Sequence, residues 1–574
     1  MKFKGLTIFA LLALSCSTQR VADGNYHLSI YSTNDLHGRF FDSLYTSKGI
    51  QNASLSRVVG YVNRVRDTAA IKPIFIDAGD HLQGDNATFY FNFIDTTGKH
   101  LFSRIAEYSG YDAIVVGNHD IETGHKVYDK IKSEMKVPYL AANAINLKTG
   151  QPWFKPYTVI KRGKIKIAVL GMTNPNISNW LSNDLWSGIE FKEIIEPSRY
   201  WIERIKKEEK PHIILLVTHT GIGDGSPSSP ENASKYAASI LPDINAVFAA
   251  HDHQTYYQLV KNGNREIPLI ESGSRAQALS KINLSVQFLK GKIVKIESSG
   301  ENVSMANEPG SKEFNSKFQN DFNKVKLFTN KEIGELKTDL SSRNTYFGTS
   351  NYLNLIHKVQ LSATGAQISF AAPLTFDLNI KRGKINYQDL LSIYPFENQL
   401  YVMNLTGEEI KSYLEYSYST WVKTMKNESD DMLNIRKRGD SGRYSFASPT
   451  YNFDSAFGIE YTVDLRKEVG DRVHIVSMSD GSAFDLNKTY KVAITSYRAS
   501  GGGDLLEKGS GLDKGERDNR IVAKYPEIRE LIYDYISSGK SLNIEDENWK
   551  FIPEDFLNNA KKREYPLIFP LLTH

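Results

Sequence analysis

The sequence predicts an α/β protein of two domains, and three observations carry that prediction. At 574 residues the chain exceeds what one ordinary core holds, so two domains with connecting segments are expected. From His27 to about Gln287, short β-branched runs bounded by Gly, Asp and Asn alternate with amphipathic stretches, the pattern of a layered α/β unit. Beyond a polar, helical stretch at 309–337 with no strand-like run, a second mixed α/β region covers 338–545.

Taken in order, residues 1–16 read as a leader. Lys2 and Lys4 precede an apolar run, Leu6 to Leu14, that is too short to span a bilayer. Leu12-Ala13-Leu14-Ser15-Cys16 resembles a bacterial lipoprotein signal, which implies cleavage before Cys16 and its lipidation. Ala13 departs from the larger aliphatic residue usual there, and a plain secretory signal with an incidental cysteine is the alternative. Cys16 is the only cysteine, so no intrachain disulfide forms and packing and metals must supply stability. The expected location is outside the cytoplasm, in the periplasm or at the outer membrane, with the lipid at Cys16 as the only membrane attachment.

The first domain, 25–308, is expected to place strands at His27–Ser32, Pro73–Ile76, Ala113–Val116, Ile165–Leu170, Ile213–Val217, Ala246–Phe248 and Pro268–Ile270. Helices are expected at Ser56–Arg66, His100–Ser109 and Pro197–Lys207, then a linker helix over 309–337 and a tail, 546–574, of no readable role. A net charge of +4 on this length is nearly neutral, so neither a nucleic-acid polymer nor an acidic membrane surface is an expected partner, and a monomer is expected. The 31 Tyr and 28 Phe suit a flat-ring ligand or carbohydrate, or simply well-packed sheets.

Nearly every predicted strand of the first domain runs into a polar cluster. These are Asn34-Asp35-Leu36-His37-Gly38, Asp77-Ala78-Gly79-Asp80, Gly117-Asn118-His119-Asp120, Thr218-His219 and His251-Asp252-His253. If the segments stay extended, period-two alternation puts Asp35 and His37 on one side, and likewise His251 and His253. Carboxylates, imidazoles and one amide suit two adjacent divalent cations sharing a bridging carboxylate: zinc, manganese, cobalt or iron. Without thiolates a cysteine-type structural zinc is excluded. One D-x-H motif alone is commonplace; five such clusters at successive strand ends are not. His81, beside Asp80, stays open between site and packing.

These clusters resemble the calcineurin-like metallophosphoesterase signature, D-x-H, GD, GNH[ED], H and GHxH. From about Tyr26 to Asp504 the chain resembles the branch with a C-terminal nucleotide-binding domain, the 5′-nucleotidases and 2′,3′-cyclic-nucleotide 2′-phosphodiesterase/3′-nucleotidases. The resemblance implies a four-layer α/β/β/α sandwich in the first domain. It assigns Asp35, His37 and His253 to one metal ion, Asn118, His219 and His251 to the other, and Asp80 to both. Ala250 stands where the family usually has glycine. Two such cations lower the pKa of a water between them, so that hydroxide attacks phosphorus, and neutralise charge that builds on the phosphoryl oxygens. By the same analogy His119 stabilises the transition state or protonates the leaving oxygen, and Asp120 or Glu122 orients its ring.

In the second domain the resemblance rests on Tyr394-Pro395-Phe396-Glu397-Asn398, Tyr451-Asn452-Phe453-Asp454 and Tyr497-Arg498-Ala499-Ser500-Gly501-Gly502-Gly503-Asp504. It implies that Phe396 and Tyr497 sandwich a nucleobase, that Gly501 and Gly502 let backbone approach the ribose, and that Asp504 accepts a hydroxyl. At Ser369-Phe370-Ala371-Ala372-Pro373-Leu374-Thr375 the chain lacks the phosphate-holding arginine of the 5′-nucleotidases; Leu374 stands there. That departure turns the expectation toward 2′,3′-cyclic-nucleotide 2′-phosphodiesterase/3′-nucleotidase activity. Hydrolysis of 5′-nucleotides or nucleotide sugars is the runner-up, and a non-catalytic nucleotide-binding surface lipoprotein is the alternative of another class.

Overall fold

The computed structural model describes residues 21–46, 49–396, 398–437, 444–539 and 543–570; the leader, with Cys16, lies outside them, as does His574. In the first domain the strand Gly24–Thr33 runs parallel to Ile74–Asp77 and antiparallel to Ala278–Leu289. Ala113–Val115 and Tyr139–Leu140 extend this sheet on one side, Lys292–Ser304 on the other. A second six-stranded sheet runs in the order Thr255–Asn262, Arg265–Ser272, Ala246–Phe248, Ile213–Thr218, Ile165–Met172, Tyr157–Arg162.

The two sheets face each other because both inner faces are apolar. Ile30, Ile76 and Val115 of the first meet Ile167, Leu215 and Phe248 of the second in one buried layer. The helices Leu55–Thr68, Leu101–Ser109 and His125–Glu134 cover the outer face of the first sheet, burying Val58, Phe102 and Ile131. Ile195–Glu208 and Ser234–Ile240 cover the second with Trp201, Ile205 and Ala237. The domain is a four-layer α/β/β/α sandwich. All seven expected strands and three expected helices coincide with observed elements to within three residues at each end. The antiparallel strands Tyr157–Arg162, Thr255–Asn262, Ala278–Leu289 and Lys292–Ser304 were not expected; exposed faces interrupt their apolar runs.

The connecting segment holds two helices, Lys312–Lys317 and Gln319–Thr329, broken at Phe318. Phe314 and Phe322 pack on Phe41, and Arg104 pairs with Asp321 at 2.7 Å, so both helices are pinned to the first domain. The expectation of no strand in 309–337 is corrected: Glu332–Leu336 pairs antiparallel with Gly383–Asn386. Its two buried residues, Ile333 and Leu336, fall out of strict alternation because of a bulge between Glu332 and Gly334, which hides the strand in the sequence.

The second domain is built on a five-stranded mixed sheet, ordered Ser455–Phe457, Ile368–Ala371, Thr489–Thr495, Gln399–Thr406, Ile521–Glu527. Gly407–Trp421, started by a Thr406/Glu409 capping box, packs in the core on one side, and Asn351–Thr364 and Ile528–Ser537 pack on the other. The stretch expected as a tail is structural. Trp549–Ile552 pairs parallel with Ile459–Asp464, and the helix Glu554–Ile568 follows, its Glu564 accepting the amides of Met432 and Leu433 at 2.8 and 3.0 Å. Pro566 inside that helix reads as a breaker in sequence, which conceals it. No helix among the described residues is long and apolar enough to cross a membrane.

Candidate functional site

The parallel strands of both sheets end on one edge of the sandwich, and the five polar clusters follow those ends. The backbone there does not stay extended. Asp35, His37, Asp80, His251 and His253 all have φ between 45° and 89°, a left-handed region costly for residues with a Cβ. The expectation that alternation along a strand aligns Asp35 with His37 is therefore corrected: left-handed turns bring them together. Ala250, in place of glycine, is free of this demand because its own φ is not positive. Gly117 is needed for space, since a Cβ there would run into the carboxylate of Asp80.

Those turns bring together all seven residues singled out as ligands. Asp35 Oδ1 lies 3.5 Å from His253 Nε2, 3.9 Å from His219 Nε2 and 4.0 Å from His37 Nε2. His219 Nε2 is 3.0 Å from Asp80 Oδ2 and 3.1 Å from Asn118 Oδ1; His251 Nδ1 is 3.0 Å from the same amide oxygen. Two overlapping groups, Asp35/His37/His253 and Asp35/Asp80/His219, each could hold an ion.

The far sides of these groups are tied down. His37 Nδ1 meets the carbonyl of Gln83 at 3.1 Å, His219 Nδ1 that of Ala78 at 2.8 Å, and His251 Nε2 the carboxylate of Glu231 at 2.9 Å. Carbonyls only accept, so the first two rings carry a proton on Nδ1 and turn Nε2 inward. Burial drives His37 down to about 4, leaving it neutral, with its Nε2 only 3.1 Å from that of His253. Asp35 Oδ2 accepts from Asn34 Nδ2 and the His251 amide at 2.8 and 3.1 Å, but its buried Oδ1 has no hydrogen-bond partner. Burial alone would raise this carboxyl; His253 and His219 outweigh it and hold it at about 2. The neutral His37 Nε2 and the orphaned Asp35 Oδ1, 4.0 Å apart, repel one another unless a cation lies between them. The donor set, nitrogen and oxygen without sulfur, fits divalent metal ions.

His119 stands at the rim, its side chain 28% exposed, with its amide on Asp80 Oδ1 at 2.8 Å and its ring 5.4 Å from that of His37. Of the two carboxylates expected to orient it, Glu122 bonds its Nδ1. Asp120 does not reach that ring. It accepts the amides of Gly117, His81 and Leu82 at 2.8–3.1 Å and faces His81 Nε2 at 3.0 Å. His81 is a packing residue, stacked on Phe102 and held between Asp120 and Asp77. Burial opposes its charge, but the two carboxylates prevail and raise it to about 10.

These residues open into a cavity of about 1260 Å³ that the second domain completes. Phe396, Tyr497 and Asp504 line it, as does Leu374; Gly501 and Gly502 do not. Gly502 instead lets the loop pass against the Tyr497 ring, where a Cβ would collide, and it is Gly503 that faces the cavity. Sequence reasoning missed Tyr451, whose ring lies 6.3 Å from Phe396 and 6.5 Å from Tyr497, nearly perpendicular to both at 72° and 80°. It also missed Glu231, and Trp180, which stacks on His251 at 5.3 Å and 13°. Both come from single helical turns, Pro230–Asn232 and Ile177–Trp180, whose spacing carries no signal. Arg498 behind the slot is spent on structure: Asp454 takes its Nε and Nη2, Asn452 and the Gly502 carbonyl its Nη1, and the Tyr451 carbonyl the rest.

Comparison with known proteins agrees with this division. Residues 28–255 match the calcineurin-like phosphoesterase family and residues 330–507 the 5′-nucleotidase C-terminal domain. The chain is 24% identical to the trifunctional nucleotide phosphoesterase protein YfkN of Bacillus subtilis over 92% of its own length, and spans 39% of that longer protein. It is 22% identical to a 2′,3′-cyclic-nucleotide 2′-phosphodiesterase/3′-nucleotidase of Yersinia enterocolitica, covering 94% of this chain and 90% of that one. Among solved structures, a 5′-nucleotidase-like protein of Staphylococcus aureus superposes with a TM-score of 0.77 at 19% identity, over 92% of this chain and 100% of that one.

Proposed function

From the premise that this chain belongs to the calcineurin-like metallophosphoesterases that carry a 5′-nucleotidase C-terminal domain, we propose that it hydrolyses nucleoside phosphates with two divalent metal ions. Its preferred reaction is opening of 2′,3′-cyclic nucleotides at the 2′ ester, followed by hydrolysis of the 3′-nucleotide. The observation that carries this reading is one cavity shared by a cation-binding donor set and three aromatic rings. Leu374 lines the same cavity and offers no guanidinium to a phosphate from the second domain. Similarity over nearly the whole chain to the 2′,3′-cyclic-nucleotide 2′-phosphodiesterase/3′-nucleotidase of Yersinia enterocolitica supports the reading.

Asp35, His37 and His253 would hold one ion and Asn118, His219 and His251 the other, with Asp80 available to both. The ions, manganese, zinc, cobalt or iron, would supply Lewis acidity and an activated water. The protein's own groups do the rest. His119 Nε2 delivers a proton to the leaving oxygen, and Glu122 holds the imidazole in the tautomer that can do so. Phe396 and Tyr497 take the faces of the base, Tyr451 closes its edge, and Asp504 accepts a ribose hydroxyl. The enzyme is exported, anchored by a lipid at Cys16, and works as a monomer on the periplasmic or outer-membrane side.

The test is a panel of 2′,3′-cyclic, 3′- and 5′-nucleotides with added manganese, repeated with chelator. Fastest turnover of the cyclic and 3′ substrates, abolished by chelation, is expected. Preference for 5′-nucleotides or nucleotide sugars would replace the reading with 5′-nucleotidase, which the C-terminal domain family favours. Nucleotide binding without any hydrolysis would leave a binding lipoprotein.

A further inference from the structure

Three arginines line the cavity, and they are not alike. All five N–H groups of Arg498 are committed to protein acceptors, so it has none to give a ligand. Arg39 and Arg275 stand on the metal side, and among the described residues neither guanidinium makes a hydrogen bond or an ion pair. Arg39 Nε is buried without an acceptor. Both are held by the backbone of the ligand turn: Arg39 follows His37 by two residues with its amide on the Leu36 carbonyl at 2.9 Å, and the Arg275 amide donates to the Asp35 carbonyl at 2.7 Å. Each lies in the field of the other and of Asp85, whose carboxylate is already bonded by Tyr45 OH and the Ala87 amide at 2.8 and 3.1 Å. Two guanidinium groups against one carboxylate leave one positive charge, beside the centre and facing the cavity.

Arg39 is half-buried and Arg275 stands exposed; the buried Arg39 Nε is costly to leave unpaired unless an anion completes it. Charge at the centre says which anion. Two divalent cations, the carboxylates of Asp35 and Asp80 and a deprotonated water sum to one positive charge. A phosphodiester, with one negative charge, balances that sum. A phosphomonoester dianion exceeds it by one.

We propose that Arg39 and Arg275 form an anion subsite that takes the extra charge of a phosphomonoester, favouring dianionic monoesters over monoanionic diesters. The inference rests on the reading that phosphate esters bind at the metal centre. It deepens that reading by giving the pair to the second step, hydrolysis of the 3′-nucleotide, rather than to opening of the cyclic ester. It also explains how the chain manages with Leu374 in place of an arginine: the cation comes from the first domain instead.

The test is the double variant Arg39→Gln/Arg275→Gln in the full-length, metal-loaded protein. The ratio of kcat/KM for 3′-AMP to that for 2′,3′-cyclic AMP should fall about tenfold or more, and 3′-AMP should accumulate during turnover of the cyclic substrate. By calorimetry, the Kd for inorganic phosphate should rise by a similar factor, and Arg39→Lys/Arg275→Lys should recover part of both effects. Equal losses on both esters, or an unchanged phosphate Kd in a variant with wild-type circular dichroism, would overturn the proposal. If the wild type hydrolyses no nucleotide, the nucleotide reading fails on its own. The subsite is then decided by the phosphate Kd and by the ratio for p-nitrophenyl phosphate against bis-p-nitrophenyl phosphate.

Discussion

In the first domain the side chains proposed to hold cations are mostly buried, and several are tied to protein on their far side. In the second, the three rings stand partly exposed, Phe396 in a loop and Tyr451 and Tyr497 in short helical turns, with the buried Arg498–Asp454 pair as the fixed point behind them. The difference follows from what each half must do. Cation ligands have to sit at set distances with set protonation, so tautomers are fixed by carbonyls and a carboxylate. A base needs only flat surface on its faces, which tolerates small displacements of the rings. Chemistry is thus invested in rigidity on one side of the cavity and selection in adaptability on the other.

The sharpest way to break that contrast is Asp80→Ala. It should lower turnover of every phosphate ester on the order of 10³-fold, with metal content by mass spectrometry falling and the second domain's melting transition unmoved. If activity survives, the rigid half is not the chemical half. Asp454→Asn attacks the other side's single fixed point. It strands the buried Arg498 charge and should destabilise the second domain by about 3–5 kcal/mol, read as an earlier calorimetric transition with metal binding retained. His119→Ala should reduce kcat about a hundredfold or more without changing metal stoichiometry. Glu122→Gln should do so more weakly, by about tenfold, whereas an equal effect from conservative replacement of Asp120 would return it to the reaction. Smallest is Phe396→Ala, expected to raise KM for nucleotides about tenfold and to leave p-nitrophenyl phosphate hydrolysis unchanged. A change in kcat for both substrates would mean that the rings position phosphate, not base.

The same contrast decides how much the sequence discloses. Asp35, Asp80, Asn118 and the histidines are legible because few residue types bind cations and because each follows a recognisable strand. Their geometry is not legible, since left-handed turns replace the alternation that strand periodicity suggests. Phe396 and Tyr497 mean nothing by spacing and are found only through family resemblance, while Tyr451, although in a quoted motif, carries no mark of a third wall. Glu231, Trp180 and Arg275 reach the site from segments far apart in the chain, where only tertiary structure makes them neighbours. The missed antiparallel strands and the last helix escape for plainer reasons: half-exposed faces blur the apolar pattern of the strands, and Pro566 reads as a breaker in the helix.

The positive φ angles at Asp35, His37, Asp80, His251 and His253 carry a consequence for the protein's life before it has met its ions. Backbone held in that region costs on the order of 1–3 kcal/mol at each such residue, and the inward-facing lone pairs add repulsion, so the empty loops sit on a loaded spring. Cation binding would then steady these loops as well as serve the reaction. Stripped of divalent ions by a chelator, the chain should exchange its loop amides faster than when it is metal-loaded.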